Sequence, residues 1–96
     1  MNLPPIHPGE ILQGELEELS LSANAPARNL DLPTNRITEI LHGKRGITAD
    51  TALRLARYFG TSARFWLNLQ ISYDLTTVEQ NHGKEIAEKV STRAAW

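Results

Sequence analysis

Residues 22–45, SANAPARNLDLPTNRITEILHGKR, decide the fold. Ser22 is a good N-cap, and Ala23, Ala27 and Leu30 follow it at helical spacing, which predicts a short helix over residues 22–29. Pro26 falls near the end of its first turn, where a missing amide hydrogen is tolerated but a shortened or kinked helix is expected. Asp31-Leu32-Pro33 reads as a tight turn. The apolar stripe Ile37, Ile40 and Leu41 then predicts a second helix from Thr34 to Leu41, stopped by Gly43. Two short helices joined this way form a helix-turn-helix if they can cross closely, and Ala27 supplies the small residue for that crossing. Asp31 stands where the turn wants positive φ, which Asp accepts more readily than most residues though less readily than Gly.

In a helix-turn-helix the second helix lies in the major groove of DNA, about 12 Å wide, and the first crosses the backbone. With Ile37 and Ile40 turned inward, Thr34, Asn35, Arg36, Thr38 and Glu39 are left facing outward. Asn pairs bidentately with adenine, Arg with guanine, and a Thr methyl packs beside thymine. Asn35 and Arg36 are therefore the expected base contacts, with Thr34, Thr38 and Glu39 completing the face. Lys44 and Arg45, in the glycine-rich loop His42-Gly43-Lys44-Arg45-Gly46-Ile47, are placed to neutralise phosphates, as is Ser22 at the head of the first short helix. Singly, each of these is an ordinary polar residue on an exposed helix; the set at this spacing is what points to recognition.

Outward from this stretch the chain stays helical. His7-Pro8-Gly9-Glu10 opens a helix, with Pro at the first helical position, Glu near its positive end and Ile11, Leu12, Leu16 and Leu19 at helical spacing. Thr48 caps another, with Ala49, Ala52, Leu53, Ala56 and Phe59 as its apolar positions and Gly60 as its stop. Ser62 caps a fifth, reaching about Tyr73. It carries two apolar stripes: Phe65, Trp66, Leu69 and Tyr73 on one side, and Leu67, Ile71 and Leu75 on the other. A small domain can bury only one in its own core, so the second is the expected contact between two copies, with Trp66 assigned to the core. Asn81-His82-Gly83 reads as a break before a last helix over Lys84 to Arg93. The expected fold is all-α: a five-helix helix-turn-helix domain over residues 1–75 and a C-terminal helical extension over 76–96.

Charge is distributed to match. The net charge of −1 divides into −4 over residues 1–27 (four Glu, no Lys or Arg), +4 over 28–64 (seven basic against three acidic) and −1 over 65–96 (three basic, four acidic). The basic third contains the helix-turn-helix, so a polyanion has somewhere to dock. With 96 residues, 41% of them apolar, one folded domain is expected. The absence of Cys excludes thiolate metal sites and cysteine nucleophiles and fits a reducing compartment. No signal-like or membrane-spanning run is found, so a cytoplasmic protein is expected. His7, His42 and His82 lie far apart at predicted helix ends without a paired carboxylate, which argues against catalysis and against a metal; no cofactor is implied.

The chain also resembles a family. Residues Ile6 to Leu75 look like the HigA/VapI group of antitoxins within the XRE, or lambda-repressor-like, helix-turn-helix superfamily. The likeness is carried by His7-Pro8-Gly9-Glu10-Ile11-Leu12, by the run from Arg36 through Gly46 to Ala56, and by Phe59-Gly60-Thr61-Ser62-Ala63-Arg64-Phe65-Trp66-Leu67-Asn68-Leu69-Gln70. It implies a homodimer on a palindromic double-stranded operator, neutralisation of a small ribonuclease toxin and repression of the shared operon. Two positions depart from the family pattern: Pro26 stands where Leu is usual and Asp31 where Gly is usual, so a distorted helix-turn-helix with reduced DNA affinity is the expected cost. The competing readings are a stand-alone repressor without a toxin and an interaction module that has lost DNA binding.

Overall fold

His7 starts the first helix by reciprocal capping. Its Nδ1 accepts the Gly9 N–H at 2.9 Å, and its own N–H donates to Glu10 Oε2 at 3.1 Å, so two otherwise unpaired amides are satisfied. In the computed structural model, which describes residues 3–93, this is α1 (Pro8–Glu18). It is followed by α2 (Asn24–Leu30), α3 (Thr34–Leu41), α4 (Ala49–Phe59) and α5 (Ala63–Lys89), with no strand among the described residues. The all-α expectation and the five-helix order hold.

The first three helices all end on a residue in the left-handed region: Ser20 after α1 (φ 54°), Asp31 after α2 (φ 56°) and Gly43 after α3 (φ 73°). Each time the next amide reaches back to a carbonyl five residues earlier: Leu21 to Leu16, Leu32 to Ala27 and Lys44 to Glu39. That pattern closes the orphan carbonyls of a helix end and reverses the chain. Asp31 thus performs the turn that Gly performs elsewhere, at a backbone cost of about 1–2 kcal/mol. Asp31→Gly should therefore raise stability by about 0.5–1 kcal/mol, because the relieved strain exceeds the extra unfolded-state freedom of Gly, while Asp31→Val should lower it. Urea unfolding midpoints of the two variants check this.

Two expectations for α2 are corrected. Ser22 is not its cap; Ala23 holds that place, without a side-chain hydrogen bond. Nor does Pro26 cost the helix a hydrogen bond. As the third helical residue it occupies a position whose amide has no partner within the helix, and the first intrahelical bond, Ala27 N–H to the Ala23 carbonyl at 3.2 Å, comes immediately after it. Its ring is buried instead.

The core contains Leu12 and Leu16 of α1, Ala27 and Leu30 of α2, Ile37 and Ile40 of α3, Ile47 of the loop after α3, Ala52 and Leu55 of α4, and Trp66 of α5. Leu53, expected among these, is 65% exposed, because the buried arc of α4 is centred on Thr51, Ala52 and Leu55 and Leu53 stands about 100° from Ala52 around the helix. Phe65, expected beside Trp66, is likewise exposed.

The largest departure is α5. It runs unbroken through Asn81-His82-Gly83 and stops at Lys89, so the helical tail expected after residue 75 is the outer part of α5, not a separate helix over 84–93. Gly83 in the helix interior costs about 1 kcal/mol relative to Ala without breaking the helix. Lys89 and His82 both approach Glu85, and the N-terminal segment lies along the middle of the helix. That segment is fixed at Gln80, whose Nε2 donates to the Leu3 carbonyl at 2.7 Å, and at Tyr73, whose ring meets the His7 ring edge-on at 4.8 Å. Beyond it α5 leaves the core, which gives the molecule its 56 × 26 × 21 Å extents.

Candidate nucleic-acid interface

Ile37 and Ile40 are fully buried and anchor α3 against α1 and α2. This orients the remaining side chains of a helix of eight residues. Thr34 and Asn35 are exposed; Arg36, Thr38 and Glu39 are half-buried at its flanks. All five therefore reach the surface of one short element, as the apolar spacing requires.

Their hydrogen bonds separate them. Thr38 Oγ1 donates to the Asn35 carbonyl at 3.1 Å, and Glu39 Oε1 accepts Arg45 Nε at 2.8 Å. Among the described residues the side chains of Thr34, Asn35, Arg36 and Lys44 make no hydrogen bond to the protein. The Glu39–Arg45 pair is about 40% exposed on both sides and adds little stability. Its consequence is geometric: it folds Arg45 back over the end of α3, where the loop begins. Lys44 and Arg45 are both exposed in that loop. Ser22 is exposed just ahead of α2.

Two residues that the sequence analysis left out hold this surface in shape. Arg54 of α4 donates through Nη1 to the carbonyls of Leu30 at 2.8 Å and Asp31 at 3.1 Å, and through Nε to Asp50 Oδ1 at 2.7 Å. One guanidinium thus caps the end of α2, grips the turn and ties both to α4. The hydrogen bond and charge of Asp50, with a smaller contribution from Asp31, hold Arg54 above the ordinary arginine range against the opposing effect of burial. Gln70 of α5 is the second: its Oε1 accepts the Ile47 N–H at 2.7 Å, closing the far end of the basic loop. Both contacts join residues more than twenty positions apart, and nothing local to either residue signals them.

On α5, Ile71 and Leu75 are more than half exposed, while Leu67 leans onto the core. Val78 continues the same line outward. Trp66 is fully buried, as expected. Among the described residues no helix is long and apolar enough to cross a membrane, and no group of His, Asp and Glu is placed to hold a metal ion.

No protein-family model matches the chain. Individual relatives do. Virulence-associated protein I of Dichelobacter nodosus is 56% identical over 80 residues, 82% of this chain and 74% of that protein. An addiction module antidote protein of a HigA family from Coxiella burnetii superposes with a TM-score of 0.92 at 54% identity, covering 95% of this chain and all of the other. The Pseudomonas aeruginosa antitoxin HigA, solved with the higBA promoter, superposes with a TM-score of 0.89 at 46% identity, covering 94% and 99%. The two solved structures are, by name, an antidote protein and an antitoxin. The fold, the exposed α3 face and these likenesses agree: the chain belongs to the HigA/VapI antitoxins of the XRE helix-turn-helix superfamily.

Proposed function

We propose that this chain is a DNA-binding antitoxin that represses its own operon and neutralises a small ribonuclease toxin. One observation carries the DNA reading: α3 has both isoleucines buried and its polar face uncovered, with Lys44 and Arg45 at its end. Asn35 and Arg36 read bases, with Thr34, Thr38 and Glu39 beside them; Lys44, Arg45 and Ser22 meet phosphates. Residues 1–75 form the DNA-binding domain and 76–96 its extension. A single module of this size contacts few phosphates, so the active species is a homodimer joined through Leu67, Ile71 and Leu75 of α5, placing two α3 helices on successive major-groove faces about 34–36 Å apart.

Binding to a duplex from the chain's own promoter, measured by fluorescence anisotropy across a salt series, tests this. Arg36→Ala should cost about 1–3 kcal/mol on the promoter duplex with the unfolding midpoint unchanged. Lys44→Ala should weaken every duplex alike and make the log–log salt slope shallower by about 0.9. Unaltered promoter binding in both variants contradicts the proposal. The toxin is tested separately: the product of the adjacent reading frame should cleave RNA alone and lose that activity on mixing with this chain, and a neighbour without such activity removes the toxin from the account.

A further inference from the structure

Gln70 is on α5, yet it reaches the loop that follows α3. Its Nε2 donates to Asp74 Oδ1 at 2.9 Å, one turn along the same helix. A carboxylate only accepts, so this contact fixes which way round the amide stands and aims Oε1 at the Ile47 N–H. The loop is shaped to receive it. A Cβ on Gly46 would lie 3.0 Å from Cδ, Nε2 and Oε1 of Gln70, tighter than ordinary contact, so the glycine makes room for the amide.

The loop from Gly43 to Ile47 is thus held at both ends. At its start the Lys44 N–H donates to the Glu39 carbonyl at 2.8 Å and Arg45 pairs with the Glu39 side chain. Both of those ties belong to α3. At its finish Ile47 is buried in the core, and its amide is taken by Gln70 from α5. Lys44 and Arg45 are the residues tied at the first anchor, and Gly46 and the Ile47 amide are held by the second. If the second is released, Lys44 keeps its tie to α3 and Ile47 its place in the core, but the backbone path through Gly46 that sets the approach of Arg45 is no longer fixed.

We propose that Gln70 is a positioning residue for DNA binding: through the Ile47 amide, with Asp74 orienting it, it holds Lys44 and Arg45 in register with the DNA backbone. This rests on the phosphate role assigned to Lys44 and Arg45 above. It also makes α5 common to two jobs, since Leu67, Ile71 and Leu75 of the same helix form the proposed dimer contact, and the loop is thereby set relative to the two-fold axis.

The test compares Gln70→Leu, which removes the acceptor and keeps most of the bulk, with the paired exchange Gln70→Glu plus Asp74→Asn. The exchange preserves net charge and restores both hydrogen bonds with the internal donor reversed. Full-length proteins are titrated against the promoter duplex over a salt series. Gln70→Leu should weaken binding about 5- to 10-fold and make the salt slope shallower by about 1–2, as expected when one or two phosphate contacts are lost, and the paired exchange should restore both. Lys44→Ala should add less than twofold to Gln70→Leu. Should Gln70→Leu not fold, Gln70→Glu alone, which sets two carboxylates against each other, takes its place against the same paired exchange. A folded variant with the wild-type slope, or a Lys44→Ala effect of equal size in both backgrounds, overturns the inference while leaving the DNA reading intact. The absence of any Lys44→Ala effect in the wild-type background overturns the phosphate role on which the inference rests, and with an unaltered Arg36→Ala it overturns the DNA reading itself.

Discussion

Replacing Trp66 with Ala should cost about 3–5 kcal/mol, the range for removing a large aromatic from a closed core. For a domain of this size, whose whole stability is about 5–15 kcal/mol, that is a third or more of the total across most of the range. The reason lies in where the indole sits. It is fully buried, meets Phe65 edge-on at 5.2 Å and Phe59 at 5.8 Å, and so fills the seam between α4 and α5. Its Nε1 donates to Thr61 Oγ1 at 2.9 Å, in the turn that joins those helices. That hydrogen bond is the smaller part of the loss, because Thr61 is exposed and its hydroxyl can turn to water. Trp66→Phe, which restores most of the volume without the donor, should recover more than half of the deficit in urea unfolding. A loss below about 1 kcal/mol for Trp66→Ala would mean that the seam is not closed as described.

Gly9→Ala should be nearly as damaging, by a different mechanism. Gly9 is buried in the first turn of α1, where the helix crosses the C-terminal end of α3. A Cβ there would overlap the Ile40 carbonyl oxygen and stand 2.9 Å from its carbon, so backbone rather than a flexible side chain would have to move. Helices packed as tightly as α1 and α3 cannot part without opening the core around Leu12, Ile37 and Ile40, and a cost of about 3 kcal/mol follows. Gly14, on the same helix, supplies the control. Nothing lies within 4 Å of a Cβ at that position, so Gly14→Ala should instead stabilise by up to about 1 kcal/mol through helix propensity. Opposite signs in denaturant midpoint for two identical substitutions five residues apart would isolate the close crossing from any general effect of removing glycine from α1. Because Ile40 belongs to α3, the helix proposed to read DNA, Gly9→Ala should also weaken DNA binding in whatever fraction remains folded.

The parts of this fold that were legible in the sequence are those decided locally. Thr34 to Leu41 was bounded correctly because a proline-marked turn precedes it and Gly43 follows it. The caps Thr48 and Ser62 are marked by residue type and the apolar spacing behind them, and the start of α1 by Pro8 and Glu10, while the capping by His7 itself is not. The candidate site followed from the same pattern, since burying Ile37 and Ile40 leaves few choices for the outer face. What escaped was set by distant neighbours. Gly83 reads as a break because its propensity is poor, yet α5 passes through it, one turn beyond the Gln80–Leu3 hydrogen bond that joins residues 77 positions apart. Leu53 fits an apolar stripe as well as Leu55 does, and only the placement of α4 on the core separates them. Arg54 counted in the sequence only as a positive charge; its task of clamping the Asp31 turn depends on where α4 comes to rest. Pro26 and Asp31, which looked like defects, fall at the two places in the helix-turn-helix where a missing amide hydrogen and a positive φ are accommodated.

The central claim is that the outward face of α3 reads base pairs. Its most direct test is a cycle between protein and DNA, in which wild type, Asn35→Ala and Arg36→Ala are titrated against promoter duplexes that each carry one substituted base pair. Wild type should lose about 1–3 kcal/mol at particular pairs, and each variant should become indifferent at one of them while keeping the wild-type loss at the rest. If both variants lose as much as wild type at every pair, α3 does not read the sequence and the account is contradicted.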